Sequence, residues 1–303
     1  MTRVSRRAFV RMGAAGAVAA PWALDAAAAA AGTLTAQDVV DRVRGAVGVD
    51  WKDGTVDTFK AGDPSTRVIG IVTTSLATID VMRRAVNAGA NLIVTAGPTF
   101  YSRTDSPTPP AGRGASPPAA DPVFTAKNAF IQTNHLVVWR FSDHWRLRTP
   151  DPFAQGLADA LGWARPSTAG DPARLTVPAT TLASLAARVR GRLDARGGVR
   201  VVGRPQTRVR TIGLLPGTRS IQETVALLPR VDAIIAGEIR EWEASEYARD
   251  VANAGLGKGL ILVGRSLSEE AGMKACADWL RPIVPEAQVR WLPAGDPYWR
   301  PAT

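Results

Sequence analysis

The sequence predicts an α/β fold made of two similar sheet-and-helix units that form one body. Three observations carry this. Short apolar runs of strand length alternate with amphipathic helical patterns along most of the chain. The run Arg67–Ala96 reads as strand, helix, strand, which demands parallel pairing with a right-handed crossover. A second run of this kind, "VRTIGLLPG", "SIQETVALLP" and "DAIIAGE", occupies the C-terminal half, so a duplicated two-lobe core follows.

The elements come in this order. Thr35 opens "TAQDVVDRVRGAVG"; Thr35 with Asp38 forms a capping-box start, and Val39, Val40, Val43 and Val47 share one helical face. "RVIGIVTTS" is a continuous apolar strand, "TIDVMRRAVNAGA" a helix stopped at Gly89, and "NLIVTA" the next strand. Residues 102–122 are rich in Pro, Gly and Ser and read as a loop. "VFTAKNAFIQTN" returns to helix, "HLVVWRF" is a strand, and "SDHWRLRTPD" is a polar turn. "PFAQGLADALGW" is helical, with Pro152 suited to its first turn. A short strand "RLTVP" and the helix "TTLASLAARVRGRLDARGG" open a region, 165–231, expected to form an intervening subdomain. The strand "VRVVG" and the second strand–helix–strand run follow. Then come the helix "REWEASEYARDVANAG", the strand "GLILVG", the helix "SLSEEAGMKACADWLRPIV" and a last strand "AQVRWLP".

The first 31 residues stand outside this pattern. "SRRAFV" precedes a weakly apolar Ala/Gly-rich stretch and small residues suited to cleavage, the form of a twin-arginine signal peptide. An exported protein with a folded domain over 32–303 is expected, with no stable membrane span, because no internal run of 18 apolar residues occurs. Cys276 is the only cysteine, so no intrachain disulfide can form. The formal net charge is +10, and five of the 37 basic residues are Lys. No basic run interleaves with aromatic residues, so nucleic acid is not an expected partner. "GLLPGTRS" lacks the pattern of a phosphate loop and reads as a turn, and no G-x-S-x-G elbow occurs.

Four segments in order resemble the Nif-three-like family of dinuclear metal centre proteins. "GDPSTRVIGIVTTSLATIDVMRRAVNAGANLIVTAGPTFY" is similar to its first unit, which ends T-H-H-P. "FIQTNHLVVWRFSDHW" is similar to the next strand and its H-T-N-x-D turn. "VDAIIAGEIREWE" resembles the T-G-E segment, and "LILVGRSLSEEAG" resembles G-H-x-x-S-E-x-x-G. The resemblance implies a homo-oligomer, usually a hexamer. It also implies a cleft with two metal ions at the strand ends and a hydrolase-like activity.

The departures from those motifs redirect the reading. The paired histidines fall on Ala96 and Gly97, and the histidine of the G-H segment on Arg265. The H-T-N-x-D turn falls on Ser142 to Arg146, with Asp143 and His144 between its outer positions, and Glu269 keeps the S-E carboxylate. With two histidines in the whole chain, a two-metal centre lacks its imidazoles. One reading is therefore a cleft whose electrostatics are set by Arg146, Arg148 and Arg265, binding a small anionic molecule. A second keeps one divalent metal ion on Asp143, His144 and Glu269, with Glu238 moving the proton of a bound water. A third is a structural role with a degenerate cleft.

Overall fold

The computed structural model describes residues 34–102, 105–106, 121–163, 174–299 and 301. The leader and most of the Pro-rich 102–122 segment lie outside the described residues. The first helix, α1 (Ala36–Ala46), begins at the expected capping box: Thr35 accepts from Asp38 N–H, and the Asp38 carboxylate accepts from Thr35 N–H.

The first sheet holds five strands: β1 (Phe59–Ala61), β2 (Gly70–Thr74), β3 (Leu92–Thr95), β4 (Val137–Arg140) and β10 (Gln288–Trp291), in the order β1-β4-β3-β2-β10. All but β1 run parallel. β2, β3 and β4 are buried at every position, which is why they read as unbroken apolar runs rather than alternations. α2 (Ile79–Asn87) joins β2 to β3 and α3 (Pro122–Thr133) precedes β4.

The second sheet also has five strands. They are β5 (Arg174–Thr181), β6 (Arg200–Val202), β7 (Arg208–Thr218), β8 (Ala233–Glu238) and β9 (Gly259–Leu262), in the order β5-β7-β8-β9-β6. Its centre is parallel and both edge strands are antiparallel. α6 (Leu182–Arg192), α7 (Ile221–Leu227) and α8 (Glu246–Asn253) accompany it. The region 165–231 thus supplies β5, β6 and β7 to a sheet that it shares with β8 and β9.

Two helices tie the sheets together. α5 (Pro152–Ala160) packs against α9 (Arg265–Leu280), and α9 touches β2 and β10 of one sheet and β7 and β8 of the other. The two helices meet at glycines. A methyl group on Gly156 would lie 2.6 Å from Gly272 N, and one on Gly272 would lie 2.8 Å from Phe153 Cα.

Three details differ from expectation. "SDHWRLRTPD" contains a short helix, α4 (Asp143–Leu147), where a turn is expected. The helix expected from Arg240 opens with a π-helical turn, Glu241–Ser245, before α8 begins. β1 has no counterpart in the sequence reading: with three half-buried residues it carries no periodic signal. No helix among the described residues is long and apolar enough to cross a membrane.

Candidate functional site

The C-terminal ends of the parallel strands of both sheets converge on the first turn of α9. Gly264 enters that turn at φ 88°, a conformation that favours glycine. Ser266 Oγ lies 2.7 Å from Ser75 Oγ, at the end of β2. Ser268 Oγ accepts from Gly217 N–H at 2.9 Å, near the end of β7, and donates to Arg265 carbonyl oxygen at 2.6 Å. Two hydroxyls on one helical turn thus fasten it to both sheets.

Glu269 occupies the centre, with 1% of its surface exposed. Its Oε1 accepts from Arg146 at 3.0 Å and its Oε2 from Arg265 Nε at 3.2 Å. The network continues outward in both directions. Arg265 donates to Thr218 Oγ1 at 3.3 Å, and Thr218 donates to Glu238 Oε2 at 3.1 Å. Arg146 reaches Asp151 at 3.2 Å and lies over the Phe153 ring at 4.5 Å. Arg219 holds Asp151 at 3.8 Å and Glu223 at 2.7 Å. Gly217, at φ 84°, makes room for the carboxylate: a methyl group there would sit 2.4 Å from Glu269 Oε1. Burial pulls the Arg146 pKa below its ordinary value, and the charge of Arg219 adds to that.

Arg140, at the end of β4, faces the same cleft and is 8% exposed. Its Nε donates to Ala96 carbonyl oxygen at 3.2 Å, and its nearest carboxylate oxygen, on Asp105, is 3.9 Å away. Burial lowers its pKa, and the next cause is the like charge of Arg265. Ala96 is fully buried, and Gly97 has no space for a side chain, since a methyl group would come within 2.3 Å of Leu76 Cδ2.

The structure separates the residues of the proposed metal set. His144 is completely buried and spends both ring nitrogens on the fold. Its Nδ1 pairs with Asp57 Oδ2 at 2.7 Å, and its Nε2 accepts from Lys52 N–H at 2.9 Å. A nitrogen accepting from a backbone N–H is unprotonated, so the ring carries its proton on Nδ1 and its other lone pair is engaged. Trp51 stacks on the ring at 3.8 Å. Asp57 also accepts from the N–H groups of Ser142, Asp143 and His144 at 2.7, 3.0 and 2.8 Å, capping α4 from a distant segment. Asp143 accepts from Val56 N–H at 3.2 Å. Asp143 and His144, expected as metal candidates, form a clamp on the 51–57 segment. Glu269 carries a guanidinium on each oxygen. Among the described residues no group of three or more His, Cys, Asp or Glu side chains is placed to hold a metal ion. This donor set does not fit a metal centre.

Two further candidates stand apart. Arg148 leaves the cleft and lies over the rings of Trp145 and Trp279. Glu238 is exposed at the end of β8, where it accepts from Thr218 Oγ1. Sequence reasoning missed Asp57, which sits in an irregular segment with no pattern to mark it. It also missed Arg219 as a cleft residue, because "GLLPGTRS" reads as a plain turn.

No protein-family model matches the sequence, and no curated protein matches it. Solved structures do match in fold. The Staphylococcus aureus hypothetical protein SA1388 aligns with TM-score 0.69 at 15% identity, covering 89% of this chain and 100% of that one. A Bacillus cereus protein related to NIF3 aligns with TM-score 0.65 at 13% identity, covering 89% and 99%. The structural-genomics protein ybgI, of unknown function, aligns with TM-score 0.64 at 17% identity, covering 87% and 100%. At such identities the likeness is one of fold: this chain has a NIF3-like architecture.

Proposed function

We propose that this chain is a NIF3-like binding protein that holds a small anionic molecule in the cleft between its two sheets, without turnover. The observation that carries this is the pair Arg140 and Arg265. Both side chains lie mostly buried at the strand ends; the carboxylate nearest Arg140, on Asp105, is 3.9 Å away, and Arg265 shares Glu269 with Arg146. A phosphate or carboxylate between them would accept charge-assisted hydrogen bonds from both and relieve the repulsion. Asp151 pairs with both Arg146 and Arg219, and Glu223 with Arg219, so those residues frame the site rather than fill it. The reading without turnover is supported by Glu269, which is held between two cations, and by the exposure of Glu238.

The proposal includes export by the twin-arginine route and self-association into an oligomer. The first rests on the "SRRAFV" leader and the second on the resemblance to the Nif-three-like family.

The test is thermal unfolding of residues 32–303 with inorganic phosphate, nucleoside monophosphates or dicarboxylates. A bound anion at a hundred times its Kd should stabilise the protein by about 2.7 kcal/mol, a rise of several degrees in Tm. Arg140→Gln should abolish that rise. A rise unchanged in both Arg140→Gln and Arg265→Gln would sink the proposal. Elemental analysis gives a second check: well under one equivalent of transition metal per chain is expected, and two equivalents would overturn the reading.

A further inference from the structure

A second concave site lies apart from the cleft. α5 and α9 form two of its walls, and the 192–196 turn and the segment after β10 close the others, around a groove of about 1010 Å³. That is the upper end of the range that encloses small organic ligands. Trp145, Trp279 and Trp291 line it. Arg148 lies 4.8 Å from the Trp145 ring centre and 5.0 Å from that of Trp279, and Lys274 lies 5.8 Å from that of Trp291. Among the described residues the partners of Arg148 are these rings rather than a carboxylate.

The walls also hold unmet hydrogen-bonding capacity. Gln155 Oε1, Glu270 Oε2 and Trp291 Nε1 are buried without a partner among the described residues, and all three residues line the groove. Glu270 is the sharpest case, at 9% exposure. Its Oε1 accepts from Ala294 N–H at 2.8 Å, Gly295 N–H at 3.0 Å, Ser75 Oγ at 2.9 Å and Ser266 Oγ at 3.1 Å. Its Oε2 accepts from nothing. A buried polar atom left alone costs roughly 1–3 kcal/mol. Two backbone N–H groups and the Ser75–Ser266 hydroxyl pair fix the carboxyl group and leave the other oxygen for a molecule that enters the groove.

We propose that the groove binds a small organic anion. Its flat apolar body would lie among the indoles, its negative group would meet Arg148, and a hydrogen-bond donor would satisfy Gln155 Oε1 or Glu270 Oε2. This site shares neither Arg140 nor Arg265 with the cleft, so the two proposals stand or fall separately.

Anilinonaphthalene sulfonate has this chemistry: a flat apolar body, one anionic group and one N–H. Its fluorescence on titration into the intact folded chain should saturate at a single site. Arg148→Gln should weaken binding about tenfold, the loss of one charge-assisted contact. Ala160→Trp, which places an indole at a lining position, should abolish binding while far-ultraviolet circular dichroism stays unchanged. Arg140→Gln should leave binding intact. If Ala160→Trp does not fold, Arg148→Gln carries the test alone. Wild-type affinity in Arg148→Gln overturns the assignment, as does equal loss in Arg140→Gln. A chain that does not bind the dye and that Ala160→Trp converts from oligomer to monomer also overturns it, since a second copy would then fill the groove.

Discussion

Glu269 shows how one buried carboxylate can organise a site. It meets two guanidiniums, and truncating such a partner leaves uncompensated charge in the interior. Glu269→Gln should destabilise the fold by roughly 3–5 kcal/mol, read by chemical denaturation. The same variant should bind phosphate more tightly than wild type, because Arg265 loses its internal counter-charge. Equal or weaker phosphate binding would contradict the role assigned to that residue. Lys127 offers a separate test by pH. It is buried, donates to Thr99 carbonyl oxygen, and burial pulls its pKa from 10.5 to about 8. Between about pH 8 and 10.5 the unfolded chain then holds more protons than the folded one, so stability should rise with pH across that window. The total rise is roughly 3 kcal/mol at 1.36 kcal/mol per pKa unit, and Lys127→Met should remove it. At this scale the sequence was partly readable. The chain holds two histidines, so a shortage of imidazoles is visible in the letters alone. Which arginine pairs with which carboxylate is not, because Arg146 and Glu269 are 123 positions apart and nothing local links them.

Secondary structure followed local chemistry wherever a cap or an apolar run was present. The capping boxes at Thr35 and Ser220, the Thr78 cap and the unbroken strands β2 to β4 all lie where composition places them. α4 escaped because its cap is borrowed: Asp57 supplies the acceptors for its first N–H groups, and Ser142 contributes no side-chain bond. The π-helical turn before α8 escaped because its residues, Glu241 to Ser245, suit an α-helix equally well. The α5–α9 crossing is the element-scale feature most open to experiment. Alanine normally favours a helix over glycine by about 1 kcal/mol. At Gly156 the added methyl group would collide with the backbone of α9, so Gly156→Ala should instead destabilise by roughly 1–3 kcal/mol. A stabilised Gly156→Ala variant would show that the two helices separate easily.

The whole molecule is laced by its ends. β10 is the last strand in the chain, yet it pairs with β2 in the first sheet, Gln288 opposite Gly70 through Trp291 opposite Thr73. Beyond it, Ala294 and Gly295 donate to Glu270. A chain cut before Gln288 would expose the β2 edge and strip two donors from a buried carboxyl group. Such a chain should be insoluble or lack a cooperative unfolding transition; a soluble fragment that melts sharply would show the edge to be dispensable. The sequence announces "AQVRWLP" as a strand but not the sheet it joins, since pairing across more than 200 positions leaves no local trace.

That distant pairing also sets the timing of maturation. The first sheet stays unfinished until its closing strand, more than 200 positions after the strand it joins, has been made. Long-range closure of this sort slows folding. Until then the chain carries an open β2 edge, a surface on which another unfinished copy could pair.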